Sequence, residues 1–86
     1  MKISVECGAR SRYDGIKEVL AASRNPVYNF EGMDPHNPIA MIFSADCNDE
    51  KKAVAEAERL IRSTSFGKLI AFRVVPAGSI VYYKPR

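Results

Sequence analysis

The sequence predicts one α+β domain in which helices cover one face of an antiparallel sheet. Residues 2–7 alternate between polar and apolar side chains, which is the period of a half-buried strand. Residues 53–61 place their apolar side chains at the spacing of one helix face. Residues 69–75 are rich in β-branched and aromatic side chains, which favour strands. A chain of 86 residues is long enough to bury one core, so we expect a single domain over residues 1–86.

The amino-terminal third predicts a strand followed by a helix. In the strand, Ile3, Val5 and Cys7 share the apolar face. Ser11 and Asp14 have a spacing similar to that of a capping box, which predicts a helix start. The residues expected on the apolar face of this helix are Ile16, Val19, Leu20 and Ser23. The helix should end before Asn25-Pro26, since proline disfavours helical backbone in the residue before it.

The middle of the chain predicts two strands joined by a long loop. Residues 27–30 form a short strand candidate, and residues 39–45 form a stronger one whose continuous apolar run indicates burial on both faces. Between them, residues 31–38 read EGMDPHNP. Proline, glycine, aspartate and asparagine in such density predict a loop over this whole segment.

The carboxyl-terminal half predicts a helix and two further strands. The helix face comprises Ala53, Val54, Ala57, Leu60 and Ile61. Asp46 or Asn48 is expected to cap this helix. Residues 69–75 are expected to form a central strand, which a turn at residues 76–79 connects to a closing strand over residues 79–83.

The predicted order is βαββαβ plus a closing strand, which is the ferredoxin-like sandwich with both helices on one face of the sheet. Its other sheet face would be bare and is expected to include Tyr28, Phe30 or their neighbours together with part of the strand over residues 69–75. An exposed apolar face favours association. We therefore expect a homo-oligomer.

Composition narrows the function classes. The formal charge of +3 is spread along the chain, as in a mildly basic globular surface. No apolar run reaches the length of a membrane span, and Cys7 and Cys47 are expected to be free thiols in a cytoplasmic protein without a membrane partner. His36 is the only histidine and lacks further ligands at metal-binding spacing, so no metal and no other cofactor is predicted.

The segment CGARSR at residues 7–12 is a candidate anion site. Arg12 follows Cys7 after one residue too few for the phosphate-binding loop of thiolate phosphatases. Burial of Cys7 beside a basic turn is therefore the favoured interpretation. Arg10 and Arg12, together with the amides that begin the first helix, are expected to be able to hold a small anion without covalent chemistry.

Two further groups of residues are candidates for binding. Asp34, His36 and Asn37 lie together in the predicted loop, and loops on rigid scaffolds often carry function. The second group combines cations with aromatic side chains around the predicted terminal hairpin and comprises Arg73, Tyr82, Tyr83, Lys84 and Arg86. Such a group serves either as a subunit interface or as a stacking surface for nucleic acid.

Three segments resemble the shell domains of bacterial microcompartments. GKLIAFRVVP at residues 67–76 is similar to the strand that closes the core of those domains. VEC at residues 5–7 and DCNDEKKAVAEA at residues 46–57 resemble the end of the first strand and the start of the second helix. The resemblance implies a hexameric tile in which the loop from Asp34 to Asn37 lines the central pore.

The leading hypothesis is a non-enzymatic, self-associating module that uses the bare sheet face or the terminal hairpin. A small nucleic-acid-binding domain is the first alternative. An enzyme that handles a thiol or an anion through Cys7, Arg10 and Arg12 is the second.

Overall fold

The computed structural model describes residues 1–77. Its elements are, in chain order, β1 (Lys2–Cys7), a 3₁₀ turn (Arg10–Arg12), α1 (Tyr13–Ala21), β2 (Tyr28–Asp34), β3 (Asn37–Ala45), α2 (Glu50–Arg62) and β4 (Phe72–Pro76). The predicted α+β class is confirmed, with a four-stranded antiparallel sheet and two α-helices. The predicted closing strand over residues 79–83 lies outside the described residues.

The four strands are arranged in the order β2-β3-β1-β4. Strand β1 is antiparallel to both of its neighbours, β3 and β4, and β2 is antiparallel to β3. Ser4, at the middle of β1, is opposite Ile42 of β3 and Val75 of β4. This register sets which side chains share a face, because side chains alternate between faces along each strand.

The hydrophobic core lies between one face of the sheet and the two helices. The strands contribute Ile3, Val5, Cys7, Met41 and Phe43, and the helices contribute Ile16, Leu20, Ala53, Ala57 and Ile61. All of these residues are at most 1% exposed. The small alanines of α2 permit close approach of the helix to the sheet. Burial of each large apolar side chain contributes roughly 1.5–3 kcal/mol.

Helix α1 begins differently from the prediction. Its N-cap residue is Arg12, which makes no side-chain capping hydrogen bond, so the predicted capping box at Ser11 and Asp14 is wrong. The chain instead enters α1 through the 3₁₀ turn, in which the Arg12 N–H donates to the Ala9 carbonyl at 2.9 Å. The first helical residue, Tyr13, donates its hydroxyl to the Cys7 carbonyl at 2.8 Å. This bond ties the start of α1 to the end of β1.

Helix α2 is capped by Asp49. The Asp49 carboxylate accepts a hydrogen bond from the Lys52 N–H at 3.2 Å. The prediction of Asp46 or Asn48 as the cap is therefore wrong. Asp49 has extended backbone angles and stands directly before the first helical residue, which is where a side chain reaches the free N–H groups of the first turn.

The β2–β3 hairpin replaces the loop predicted over residues 31–38. Strand β2 continues to Asp34 and β3 starts at Asn37, so only Pro35 and His36 separate the two strands. The register shifts between Phe30 and Gly32, where Gly32 has a φ of 119°. Glycine adopts this φ without steric cost, so β2 accommodates a bulge and remains paired.

Strand β4 is shorter than the predicted strand over residues 69–75. Leu69 is 76% exposed and lies before β4 begins at Phe72. Within the described sheet β4 is the last strand in order, whereas the prediction made it central. The segment between α2 and β4 is held close to the helix end, because Gly67 is buried against the backbone of Ile61 and Arg62.

Candidate interaction surface

The face of the sheet away from the two helices, which we call the open face, carries the side chains of Lys2, Ser4, Glu6, Asn29, Ala40, Ile42, Ser44, Arg73 and Val75. They alternate along the strands with the residues that enter the core. Neither α1 nor α2 packs on this face, since both helices contribute to the core on the other side. Lys2, Asn29 and Arg73 are exposed on this face, Ser4 and Ala40 have no exposed surface, and the other side chains are partly buried.

The centre of the open face is apolar. Ile42, Ser4 and Val75 form a row across three adjacent strands. Ile42 and Val75 are half-buried, while Ser4 is fully buried. The Ser4 hydroxyl has no hydrogen-bond partner among residues 1–77. An apolar centre with a polar rim is the usual anatomy of a protein interface.

Charged side chains lie at opposite ends of the open face. Lys2 is exposed at the start of β1. Near the end of β1, Glu6 accepts hydrogen bonds from Arg73 of β4 at 3.1 Å and from Asn37 of β3 at 3.4 Å. The Arg73–Glu6 pair also has an Nη2 to Oε1 distance of 2.9 Å, and the Glu6 side chain is 16% exposed. Glu6 thus links three strands at the end of the surface opposite Lys2, where Arg73 balances its charge.

Tyr28 and Phe30 do not themselves belong to the open face, whereas their neighbour Asn29 and, from the predicted strand over residues 69–75, Arg73 and Val75 do, so that prediction is confirmed only in part. Tyr28 is 3% exposed and donates its hydroxyl to the Ala53 carbonyl of α2 at 2.6 Å. Phe30 lies edge-on to the core residue Phe43, with ring centroids 5.4 Å apart. The register explains both positions, because Phe30 is directly opposite Phe43 and shares its face.

The candidate thiol and anion residues do not meet at one point. The Cys7 side chain is in the core and 1% exposed. The Arg12 guanidinium carbon lies 5.3 Å from the centroid of the Phe66 ring, and Arg10 lines a groove beside α1. Arg12 therefore contacts Phe66 and Arg10 lines the groove, so neither arginine side chain forms a site with the thiol. Both cysteines are free thiols, as the sequence predicts.

The three candidates of the predicted loop now occupy the β2–β3 turn. The Asp34 carboxylate accepts a hydrogen bond from the His36 N–H at 2.7 Å. Asn37 donates to Glu6 and also accepts from the Ile39 N–H at 3.2 Å. Asp34 and Asn37 thus stabilise the turn, and Asn37 also supports the charged end of the open face.

Of the candidates around the predicted terminal hairpin, only Arg73 falls within the described residues. Its ion pair with Glu6 partly neutralises the charge that a phosphate would meet. Tyr82, Tyr83, Lys84 and Arg86 lie outside the described residues.

Two other features of residues 1–77 bear on function. Nowhere in this part of the chain do three or more His, Cys, Asp or Glu side chains converge in a way that would hold a metal ion. Neither of its helices combines the length and the apolar character needed to cross a bilayer.

The sequence predicts the polar face of β1 but not the open face as a unit. The alternation in β1 already placed Lys2, Ser4 and Glu6 together. Part of the strand over residues 69–75 is expected on the same face, and Val75 is found there. The sequence does not assign Ile42, because a continuous apolar run does not show which of its residues face the helices. Only the strand pairing brings Ile42 and Val75 next to Ser4.

None of the known protein families, curated proteins or solved structures compared with this chain matches it. The resemblance to microcompartment shell domains therefore stays a prediction.

Proposed function

We propose that this protein is a non-enzymatic, self-associating module with a ferredoxin-like fold, in which two copies pack open face against open face. The ferredoxin-like part is supported by the chain order βαββαβ and by the position of β1 between β3 and β4. The self-association part rests on one observation: the open face has an apolar row at its centre, with Lys2 at one end and the Glu6–Arg73 ion pair at the other.

The apolar row explains why a second copy fits this surface. Sheets packed face to face bring their inner side chains together at a spacing of about 10 Å. If a two-fold axis runs along the row, Ile42 of one copy packs on Ile42 of the other, and Val75 packs on Val75. Such self-complementary contact is characteristic of a two-fold dimer.

The charges select this axis over the alternative. With the axis along the row, the two β1 strands run antiparallel, and Lys2 of each copy stands over Glu6 of the other. With the axis along β1 instead, Lys2 would face Lys2, which is repulsive, and each Glu6–Arg73 pair would face its own copy. Charge complementarity therefore favours an antiparallel dimer with two Lys2–Glu6 contacts.

The first test is the mass of the protein in solution. Sedimentation equilibrium at micromolar concentration should give twice the chain mass of 9.6 kDa. Ile42→Glu places a charge at the centre of the open face and should give a monomer. Leu69→Glu introduces the same charge at an apolar residue that is 76% exposed and off the face, so this control should remain dimeric. A wild-type monomer at high concentration would contradict the proposal.

The second test examines the axis with two charge reversals, made singly and together. Lys2→Glu alone places Glu against Glu6 across the antiparallel interface, and Glu6→Lys alone places Lys against Lys2, so each variant should dimerise more weakly than the wild type. The double variant Lys2→Glu/Glu6→Lys restores two attractive contacts in the antiparallel dimer, whereas an axis along β1 would leave Glu against Glu and Lys against Lys. Sedimentation equilibrium should therefore show stronger dimerisation for the double variant than for either single variant, and no recovery would exclude the antiparallel arrangement.

The same mass measurement separates the dimer from the hexameric tile that the shell-domain resemblance implies. A hexamer would have six times the chain mass. Its assembly should be insensitive to Ile42→Glu, because the subunits of a flat tile contact one another through their edges and not through a sheet face. A dimer that Ile42→Glu dissociates supports packing through the open face instead.

A further inference from the structure

A groove on the helix side of the molecule lies between α1 and the β2–β3 hairpin, and we call it the α1 groove. It is a shallow groove, open to solvent, with a volume of about 560 Å³, and it is lined by Arg10, Tyr13, Lys17, Phe30, Gly32, Met33 and Pro38. This volume is within the range of roughly 300–1,000 Å³ that is usual for small-molecule sites. The groove is separate from the open face, because Phe30 belongs to the face of the sheet that carries the helices.

The apolar walls of the α1 groove are held in place by contacts within the chain. The Tyr13 hydroxyl is fixed by its hydrogen bond to the Cys7 carbonyl. The Phe30 ring is supported by its edge-on contact with Phe43. Phe30 and Met33 nevertheless remain 40% and 39% exposed, so the groove presents a preformed apolar surface that the described chain leaves uncovered.

Two cations stand beside this apolar surface without a carboxylate partner. The Lys17 Nζ lies 4.2 Å from the centroid of the Phe30 ring, which positions the ammonium at the groove wall. Arg10 lines the same groove, and no aspartate or glutamate is among the lining residues. Within residues 1–77 neither cation forms an ion pair. The positive end of the α1 dipole, at Tyr13, adds to the positive electrostatic potential that the two cations create at the groove.

From this combination we infer that the α1 groove binds a small organic carboxylate with an aromatic or branched aliphatic body. The guanidinium of Arg10 and the ammonium of Lys17 bind the carboxylate, and the apolar body packs on Phe30 and Met33. An apolar surface alone would accept neutral molecules equally well, so the two unpaired cations give the site its preference for anions.

The test compares a carboxylate with its neutral counterpart of the same shape. Naphthalene-2-carboxylate and naphthalene-2-carboxamide are titrated separately into the ¹⁵N-labelled full-length protein. We expect the carboxylate to shift the amide resonances of Tyr13, Lys17, Phe30 and Met33 and to bind at least about threefold more tightly than the amide, which is the size of an exposed charge contact. Equal affinity for the two probes would overturn the inference.

Charge-matched variants test whether Arg10 and Lys17 cause the tighter binding of the carboxylate. The double variant Arg10→Gln/Lys17→Gln should remove the difference between the two probes, while Lys51→Gln/Lys68→Gln removes the same charge at exposed lysines outside the groove and should keep it. Raising the salt concentration for the wild type tests the same point without a substitution. It should weaken the binding of the carboxylate and leave the binding of the amide unchanged. Persistence of the difference in Arg10→Gln/Lys17→Gln would overturn the inference.

Other occupants would give different results. Concentration-dependent shifts at Phe30 and Met33 without any ligand would assign the groove to a second copy of the chain. Saturable binding of an acidic peptide, with no binding of naphthalene-2-carboxylate, would assign it to a protein partner. Either result overturns the small-carboxylate assignment, and neither depends on whether the open face forms a dimer.

Discussion

Tyr28 connects the edge strand β2 to helix α2 through one buried hydroxyl. Its bond to the Ala53 carbonyl lies in the core, where charge is poorly solvated. Burial, aided by the negative charges of Glu56 and Cys47, raises the pKa of Tyr28 to about 12 from its ordinary value of 10.0. The neutral hydroxyl is therefore favoured in the folded state more than in the unfolded chain.

This pKa predicts a loss of stability at alkaline pH. Below pH 10 both states hold the proton, so the stabilisation is fully present. As the pH rises from 10 towards 12, the unfolded chain loses the proton first, and the free energy of unfolding should fall by roughly 2–3 kcal/mol. Tyr28→Phe should cost about 1 kcal/mol at pH 8 and should lack most of this alkaline decrease. Urea denaturation at several pH values, with Tyr13→Phe as control, measures both effects.

Two glycines offer a matched test of close packing. A Cβ atom at Gly67 would lie 2.8 Å from the Arg62 Cα and 2.9 Å from the Arg62 carbonyl oxygen, which is within van der Waals overlap. Gly67→Ala should therefore lower the free energy of unfolding by about 1–3 kcal/mol. Gly8 has nothing within 4 Å of a Cβ, so Gly8→Ala should stay within about 0.5 kcal/mol of the wild type. Equal effects in thermal denaturation would contradict this explanation.

At the scale of elements, the start of α2 depends on the cap at Asp49. Asp49→Ala removes the acceptor for the Lys52 N–H and should cost about 1 kcal/mol. Asp46→Ala removes the same charge three residues earlier, outside the cap, and should have a smaller effect. Chemical denaturation of the two variants at the same ionic strength gives the comparison. A larger loss for Asp46→Ala would show that charge rather than capping dominates.

Helix α2 and the β2–β3 hairpin show how far the sequence can predict the elements. The apolar face of α2 was predicted correctly, because helical periodicity depends only on the chain's own spacing: Ala53, Ala57 and Ile61 are fully buried. The hairpin was missed, because its turn-forming residues are distributed over a bulge at Gly32 and a turn of only two residues. Composition reports the density of such residues but not their placement within a paired strand.

The α1 groove shows the same difference between what the sequence predicts for a single element and what it predicts for contacts between elements. Arg10 was predicted to bind an anion, and it lines the α1 groove. Lys17 and Met33 carry no signal in the sequence, and Phe30 is expected on the opposite face of the sheet, because the groove forms only where α1 packs beside β2. Pairing and packing between distant segments leave no local signal in a single sequence, so the sequence predicts individual elements better than the surfaces that form between them.

At the scale of the whole molecule, self-association predicts that thermal stability depends on protein concentration. A dimer is favoured over unfolded monomers by mass action, so the melting temperature should rise with concentration. The rise should disappear in Ile42→Glu and persist in Leu69→Glu. Differential scanning calorimetry across a hundredfold range of concentration measures this dependence. A melting temperature that is independent of concentration in the wild type would argue against a stable dimer.

The central position of β1 has consequences for how the chain acquires its structure. Strand β1 needs both β3 and β4 as neighbours, and both are synthesised after it, since β4 ends only at Pro76. Most of the sheet's pairing is therefore non-local, which slows folding relative to proteins of local topology. Until β4 has been synthesised, one edge of β1 lacks its final partner and presents unpaired backbone groups to other chains. Protein synthesis that stops before β4 should therefore give products prone to aggregation.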